Sequence, residues 1–150
     1  GLLTRNVIFR GDSETSGLNK FGAHIMMHSP GDESVIGRIE YVEFFDVGQA
    51  YMLGRYPIQF HRIGTVAKSY IRGNSIFNSY NRAVTINDVE QLRILDNVAY
   101  NVMGHAFFFE DGREKRNILD NNLVLKVIKS WALLNTDLTP ASFWITNPDN

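Results

Sequence analysis

Short runs of alternating apolar and polar residues, each bounded by Gly, Asn or Asp, recur along the chain. Arg55-Tyr56-Pro57-Ile58-Gln59-Phe60-His61-Arg62, Asn81-Arg82-Ala83-Val84-Thr85-Ile86-Asn87-Asp88, Gly104-His105-Ala106-Phe107-Phe108-Phe109-Glu110-Asp111 and Ala141-Ser142-Phe143-Trp144-Ile145-Thr146-Asn147 are copies of one strip. In every copy one parity is apolar: Ile58 and Phe60, Val84 and Ile86, Phe107 and Phe109, Phe143 and Ile145. Period-two alternation in β-branched and aromatic residues predicts short strands. The first copies lie 26 and then 23 residues apart, and the fourth follows a 13-residue excursion. A second strip keeps the period: Ile71-Arg72-Gly73-Asn74, Ile94-Leu95-Asp96-Asn97 and Ile118-Leu119-Asp120-Asn121 recur at spacings of 23 and 24.

A unit of about 23 residues holds two or three short strands and no ordinary helix. Stacking such units buries one apolar column inside a coil. The pattern predicts an all-β fold, a right-handed parallel β-helix, with residues 1–150 as one solenoid segment of a longer chain. Ile71, Ile94 and Ile118 are expected in one inward column, with Val84 above Phe107 in another. Asn74, Asn97 and Asn121 are expected to stack at a corner, where Asn tolerates left-handed backbone and bonds to neighbouring main chain. A leucine-rich repeat has a similar period, but its leucine framework is missing. A sandwich explains the alternation but not the shared register.

The first third is less regular. Val7-Ile8-Phe9, His24-Ile25-Met26 and the run from Ile36 to Phe44 read as strands, Gly11 to Gly22 as a polar loop, and Asp46 to Gly54 as another excursion. The one helix candidate is Leu123 to Leu134, from the spacing of Val124, Val127, Ile128 and Trp131.

Composition narrows the function classes. Fifteen basic and 16 acidic residues give a net charge of −1, and no Lys/Arg run interleaves with aromatics, which argues against a nucleic-acid surface. No apolar run approaches the roughly 20 residues that span a bilayer, so membrane insertion by this segment is not expected. The start, Gly1-Leu2-Leu3-Thr4-Arg5, does not have the build of a signal peptide. Without cysteine there are no disulfides, no thiol chemistry and no cysteine-bound zinc. There is no Asn-x-Ser/Thr sequon.

Leu2-Leu3-Thr4-Arg5-Asn6, the strips from Arg55 to His61 and from Gly104 to Gly112, and Phe143-Trp144-Ile145-Thr146-Asn147-Pro148-Asp149-Asn150 resemble one family. It is the fibrocystin and fibrocystin-L family of G8 and parallel β-helix repeat proteins, related to transmembrane protein 2 and the cell migration-inducing hyaluronan-binding protein. The resemblance implies a β-helix in a large extracellular or cell-surface ectodomain, ciliary or flagellar in the fibrocystin branch. For some members it implies hyaluronan degradation with calcium. One departure matters. The family's Tyr-Pro-apolar-His-aromatic-His carries Gln59 where the first histidine is usual, and Gln cannot titrate near neutral pH.

Aligning the strips stacks their outward residues. One column runs Gln59, Thr85, Phe108, Trp144; the next runs His61, Asn87, Glu110, Thr146; the corner beyond holds Arg62, Asp88, Asp111, Asn147. Rungs about 4.8 Å apart make four rungs roughly 14 Å long, the scale of two or three sugar rings. Aromatic faces stack on sugars, while carboxylates and His supply acid–base chemistry. The ligand-binding candidates are therefore Gln59, Asn87, Phe108 and Trp144, and the catalytic candidates His61, Glu110 and Asp111. Phe108 and Trp144 are expected either to line an open groove with Glu110 and His61 or to fill a satellite core under the excursion from Lys126 to Pro140. His61 has bonding to a neighbouring rung as its other reading, and Glu110-Asp111 before Gly112 has a plain turn.

No cofactor is expected. Calcium held by Asp88, Glu110 and Asp111 is the alternative, with Arg62, Arg82 or Arg113 able to neutralise the same carboxylates without metal. His24 and His28 pair for a metal only on a helix, and they flank strand-like residues. Arg82 and His105 hold equivalent positions on adjacent rungs, where packing is expected. Two functions stand open: a structural and glycan-binding segment at a cell surface, and a hyaluronan-degrading glycosidase. The expected partners are an extracellular glycan such as hyaluronan and the rest of the parent chain.

Overall fold

A computed structural model describes residues 2–29, 32, 34–131 and 134–150; Gly1, at the chain start, and Leu133, in the helix candidate, lie outside them. The chain winds through three strands per turn. The first coil holds β1 (Val7–Arg10), β2 (Ile25–His28) and β3 (Arg38–Glu40). The second holds β4 (Val42–Val47), β5 (Ile58–Thr65) and β6 (Tyr70–Arg72). The third holds β7 (Ser75–Ser79), β8 (Val84–Glu90) and β9 (Arg93–Leu95). The fourth holds β10 (Val98–Met103), β11 (Phe107–Phe109) and β12 (Ile118–Asp120). The last described turn adds β13 (Leu123–Val124), β14 (Val127–Ile128) and β15 (Phe143–Trp144).

Each strand pairs in parallel with its counterpart one coil away, giving three sheets: β1-β4-β7-β10-β13 with β14 also on β10, β2-β5-β8-β11-β15, and β3-β6-β9-β12. This is the parallel β-helix the repeat predicts. The four copies of the main strip stack in the expected register: Ile58 on Val84, Val84 on Phe107 and Phe107 on Phe143. Beneath them lies a fifth rung that the sequence pattern hid, with Ile25 under Ile58 and Met27 under Phe60. Inward residues from all three sheets, among them Phe44, Phe60, Ile71, Ile76, Ile86, Ile94, Phe107 and Phe109, form one continuous core. The Phe107 and Phe143 rings stack at 5.2 Å.

The corners are built from residues that accept positive φ. Gly73, Asp96 and Asn121 take φ of +66°, +58° and +53° at successive corners, each just before the third sheet hands over to the first. Asp46, Asn78 and Asn101, at +51°, +51° and +56°, bend the first sheet once per coil. Short polar side chains populate this region more readily than others.

The corner asparagines form a buried ladder. The Oδ1 of Asn97 accepts from the backbone N–H and the amide of Asn74, each at 3.0 Å, while its own amide donates to the Ile71 carbonyl at 3.0 Å. Asn122 repeats the pattern on Asn97, at 3.0 and 2.9 Å, and donates to the Ile94 carbonyl at 2.8 Å. A second ladder runs through Asn117 and Asn150 at the corner between the second and third sheets.

The second strip is corrected by one residue. Leu119, not Ile118, stacks on Ile94, and Asn122, not Asn121, completes the ladder. The stretch from Phe109 to Leu119 spans ten residues where Ile86 to Ile94 spans eight, so the identical Ile falls one place short. A one-residue slip turns a side chain to the other face. Ile118 accordingly sits opposite Arg93 and is 52% exposed.

Other local expectations shift too. Val124, Val127 and Ile128 belong to β13 and β14 rather than to a helix, because the edge of β10 offers them unpaired backbone. The helical pieces are instead α1 (Ser16–Asn19), inside the expected polar loop, and a 3-10 turn at Asn135–Leu138. The run from Ile36 to Phe44 breaks into β3 and β4 at Tyr41, whose φ is +52°. Among the described residues no helix is long and apolar enough to cross a membrane.

Two substitutions test this architecture by urea denaturation. Phe107→Ala leaves a cavity in a fully packed column and should cost about 3–5 kcal/mol. Asn97→Ala strands several buried backbone groups at once and should cost about 2–4 kcal/mol, although Asn97 packs little apolar surface.

Candidate functional site

The outer face of the second sheet carries the predicted columns in register. Met26, Gln59, Thr85, Phe108 and Trp144 stack in one, and His28, His61 and Asn87 in the next, with Glu110 following. In an isolated β-helix both columns would face water. Here Gln59, Thr85, Asn87 and Phe108 are buried, because segments inserted within coils fold back over them. One is the loop between β4 and β5, which brings Tyr56. The other lies between β14 and β15 and brings Asp137 in the 3-10 turn.

Arg82 organises the covered end. Its side chain is wholly buried; the guanidinium lies 3.8 Å from the Phe108 ring centroid and 4.8 Å from that of Tyr56. It pairs with Asp137 at 3.1 Å and lies 4.0 Å from the Glu110 carboxylate. A buried cation needs a close anion and aromatic faces to offset its lost hydration. His105 stacks on Phe108 at 5.0 Å, with Trp144 tilted against it at 4.7 Å. The Asp137 carboxylate also accepts from the backbone N–H of His105 at 3.2 Å and of Leu134 at 3.3 Å. Gly104 is required for this approach: a Cβ there would stand 2.8 Å from Asp137 Oδ1, and its φ of +88° suits glycine.

Burial pushes the His105 pKa down; Asp137 partly opposes this, and Arg82 reinforces it. Its Nδ1 accepts from the Ala141 N–H at 3.0 Å, so the imidazole is neutral with its proton on Nε2. Burial also raises the Tyr56 pKa above the ordinary phenol value.

Beside this cluster the face opens into a cleft of about 660 Å³. Gln59, His61, Asn87, Glu110 and Asp111 line it, with Arg55, Arg62 and Arg113 among the surrounding residues. A hydrogen-bonded chain crosses three rungs: Gln59 Nε2 donates to Asn87 Oδ1 at 2.9 Å, and Asn87 Nδ2 donates to Glu110 Oε2. Among the described residues Gln59 Oε1 and His61 Nδ1, both buried, find no hydrogen-bond partner. Arg55, Arg62 and Arg113 have no ion pair among the described residues. The cleft can therefore offer both donors and acceptors to a polar ligand.

The expected residues thus divide. His61, Glu110, Asp111, Gln59 and Asn87 come together in the cleft. Phe108 and Trp144 do not line it, which corrects the expectation of one open groove holding both aromatics with Glu110 and His61. Phe108 fills a satellite core under Arg82 and His105, and Trp144 packs on His105. Asp88 joins Glu110 and Asp111 in the lining, yet among the described residues no group of three metal-ligating side chains converges. His24 and His28 flank and close β2 rather than sharing a helix face; the His28 ring instead lies tilted against that of His61, 5.5 Å away.

Two residues escaped the sequence reading. Asp137 sits in an excursion with no repeat to mark it. Glu114 is fully buried, and its Oε1 accepts from the backbone N–H of Asp88 at 3.0 Å and of Asp111 at 3.1 Å. It clips two rungs of the cleft together, and only its place after the strip hinted at a turn.

Fold and site together define a parallel β-helix segment whose one outer sheet face is partly roofed by loops and partly open as a polar cleft. The chain belongs to the CEMIP beta-helix family, whose model matches residues 20–139. It is similar to fibrocystin-L of Mus musculus, at 42% identity across the whole chain and 4% of that protein, and to fibrocystin-L of Homo sapiens, at 43% with the same coverage. It is also similar to the cell surface hyaluronidase CEMIP2 of Homo sapiens, at 32% identity over the whole chain and 14% of that protein. The chain thus spans a small fraction of the relatives it matches. The family resemblance carried by the strips holds.

The roofed cluster yields a test by thermal or urea unfolding. Arg82→Met leaves Asp137 as a buried charge without its cation and should cost about 3–5 kcal/mol. Phe108→Ala should cost about as much as Phe107→Ala, roughly 3–5 kcal/mol, because its ring is buried although its parity is outward.

Proposed function

We propose that this chain is an extracellular β-helix segment of a large cell-surface protein and that its open cleft binds a glycan. The observation that carries the reading is the meeting of Gln59, His61, Asn87, Glu110 and Asp111, from consecutive rungs, in one cleft with the guanidiniums of Arg55, Arg62 and Arg113, which have no ion pair among the described residues. Sugars present closely spaced hydroxyls that both donate and accept, and the carboxylates of Glu110 and Asp111 beside the guanidiniums of Arg55, Arg62 and Arg113 suit such a partner. Relatives named as cell surface hyaluronidases support a surface location and make hyaluronan the glycan to try first. A ciliary or flagellar surface is the finer placement that the fibrocystin-L likeness favours.

Binding is the primary role because Gln59 replaces a titrating side chain and Glu110 is already engaged by Asn87. A second reading, hydrolysis, rests on His61, Glu110 and Asp111 sharing the cleft. The two part experimentally. Retention of the full-length protein on immobilised hyaluronan should fall at least about tenfold in the Arg62→Ala, Arg113→Ala double variant, equivalent to losing one charge-assisted contact. Trp144→Ala, outside the cleft, should leave retention unchanged. Unaltered retention by the folded double variant would remove the cleft as the glycan site. Depolymerisation of hyaluronan by the parent protein, lost in Glu110→Gln with retention kept, would establish the second reading.

A further inference from the structure

Residues 134–141 lie over the outer face of the second sheet, held by very few groups. Asp137 provides most of the hold: its carboxylate takes Arg82 and the His105 backbone N–H, and its carbonyl accepts from the Ser130 N–H at 2.9 Å. The far end is held by the bond from the Ala141 N–H to His105 Nδ1 and by the Ala141 carbonyl, which accepts from the Ala106 N–H at 3.0 Å. His105 therefore meets this segment at both ends of its imidazole: Nδ1 toward Ala141, and Nε2 toward Asp137 at 3.7 Å, beyond a hydrogen bond.

We infer that residues 134–141 are an acid-released strap, opened by protonation of His105, whose release transfers Arg82 from Asp137 to Glu110 in the cleft. The part concerning the cleft rests on the glycan-binding reading; the strap itself does not. A second proton must go to Nδ1, where it faces the Ala141 N–H, so that two donors oppose each other and the bond is lost. The ring packs against Phe108 and Trp144 and is wholly buried, so bulk solvent does not reach it to take up the new charge.

The charges around His105 are few. Arg82, from the turn before β8, repels an imidazolium; Asp137, from the strap, attracts it; Glu110, from the end of β11, lies beyond Arg82. Among the described residues, the loop between β4 and β5 contributes Tyr56 and β15 contributes Trp144. Burial and Arg82 outweigh Asp137, so the strapped state holds His105 neutral below its ordinary range. Once the strap lifts, the imidazole reaches water and takes a proton near its ordinary pKa of about 6.5. The open state then binds more protons than the closed state, and falling pH favours opening from about 6.5 downward. Arg82, left without Asp137, has Glu110 at 4.0 Å as its other anion among the described residues, and it competes with Asn87 for the same Oε2.

Hydrogen exchange on the full-length protein without ligand tests this. Protection of peptides covering 134–141, corrected for intrinsic exchange, should fall about tenfold between pH 7.5 and 5.5, the ratio for an open-state group titrating near 6.5. Peptides from β9 and β10 should keep their protection. His105→Gln, which retains an acceptor for Ala141 but cannot charge, should show no such fall, and Asp137→Asn should be poorly protected at both pH values. A wild-type strap with equal or greater protection at pH 5.5 overturns the inference, as does a His105→Gln variant as pH-sensitive as wild type. Hyaluronan retention is read separately. Its absence at every pH with strap release intact defeats the glycan reading alone, and flat protection with retention intact defeats the strap alone.

Discussion

An asparagine amide enclosed between two coils must find partners for its carbonyl and both its hydrogens within the protein, and at positions 74, 97 and 122 this fixes one coil above the next. Apolar columns alone would tolerate sliding, since one Ile or Phe packs on another at several offsets. The ladder does not, because a shifted rung leaves buried donors and acceptors bare. Core stacking, the repeated bends at Asp46, Asn78 and Asn101, and the alignment of the cleft residues all depend on that register. The cleft is a by-product of vertical order: Gln59, Asn87 and Glu110 meet because their rungs are superposed.

The same order explains why the roofed end needs so much chemistry. A sheet face on a β-helix is already satisfied in its backbone, so a loop laid over it must bring its own polar partners. Asp137 does this with one carboxylate that serves a guanidinium and two backbone amides. Arg82 is the complementary investment: a buried cation whose planar face covers Phe108 while its edge reaches the loop. Outward Phe108 thereby becomes as thoroughly interior as inward Phe107.

Much of the fold was legible because the main strip repeats both parity and spacing, and neither depends on distant residues. Ile118 misled because residue identity was matched across a turn that had changed length; only the pairing of Leu119 with Ile94 reveals the insertion. The rung at Ile25 was hidden because Met26 and Met27 carry no alternation. Gln59, His61, Asn87 and Glu110 share the cleft because outward parity brings them to one face whatever covers it, and Asp111 joins them from the corner beyond. What covers Phe108 was beyond reach: Asp137 acts through a partner 55 residues away, and nothing local marks an aspartate as the end of a buried pair.

The ladder bonds also have a direction. Strand pairing runs from coil to coil, so the hydrogen bonds lie along the long axis of the solenoid. Tension along that axis loads the bonds within each interface side by side and the interfaces one after another. Such a rod resists stretching up to the strength of its weakest interface and then lengthens stepwise, one coil peeling away at a time. Interfaces carrying a buried asparagine resist shear as well as separation. Among the described residues the fourth and fifth coils share the short strand pairings of β13, β14 and β15, supplemented by the Asn97–Asn122 and Asn117–Asn150 bonds, so their resistance rests more on side-chain amides than that of the long pairing between β5 and β8.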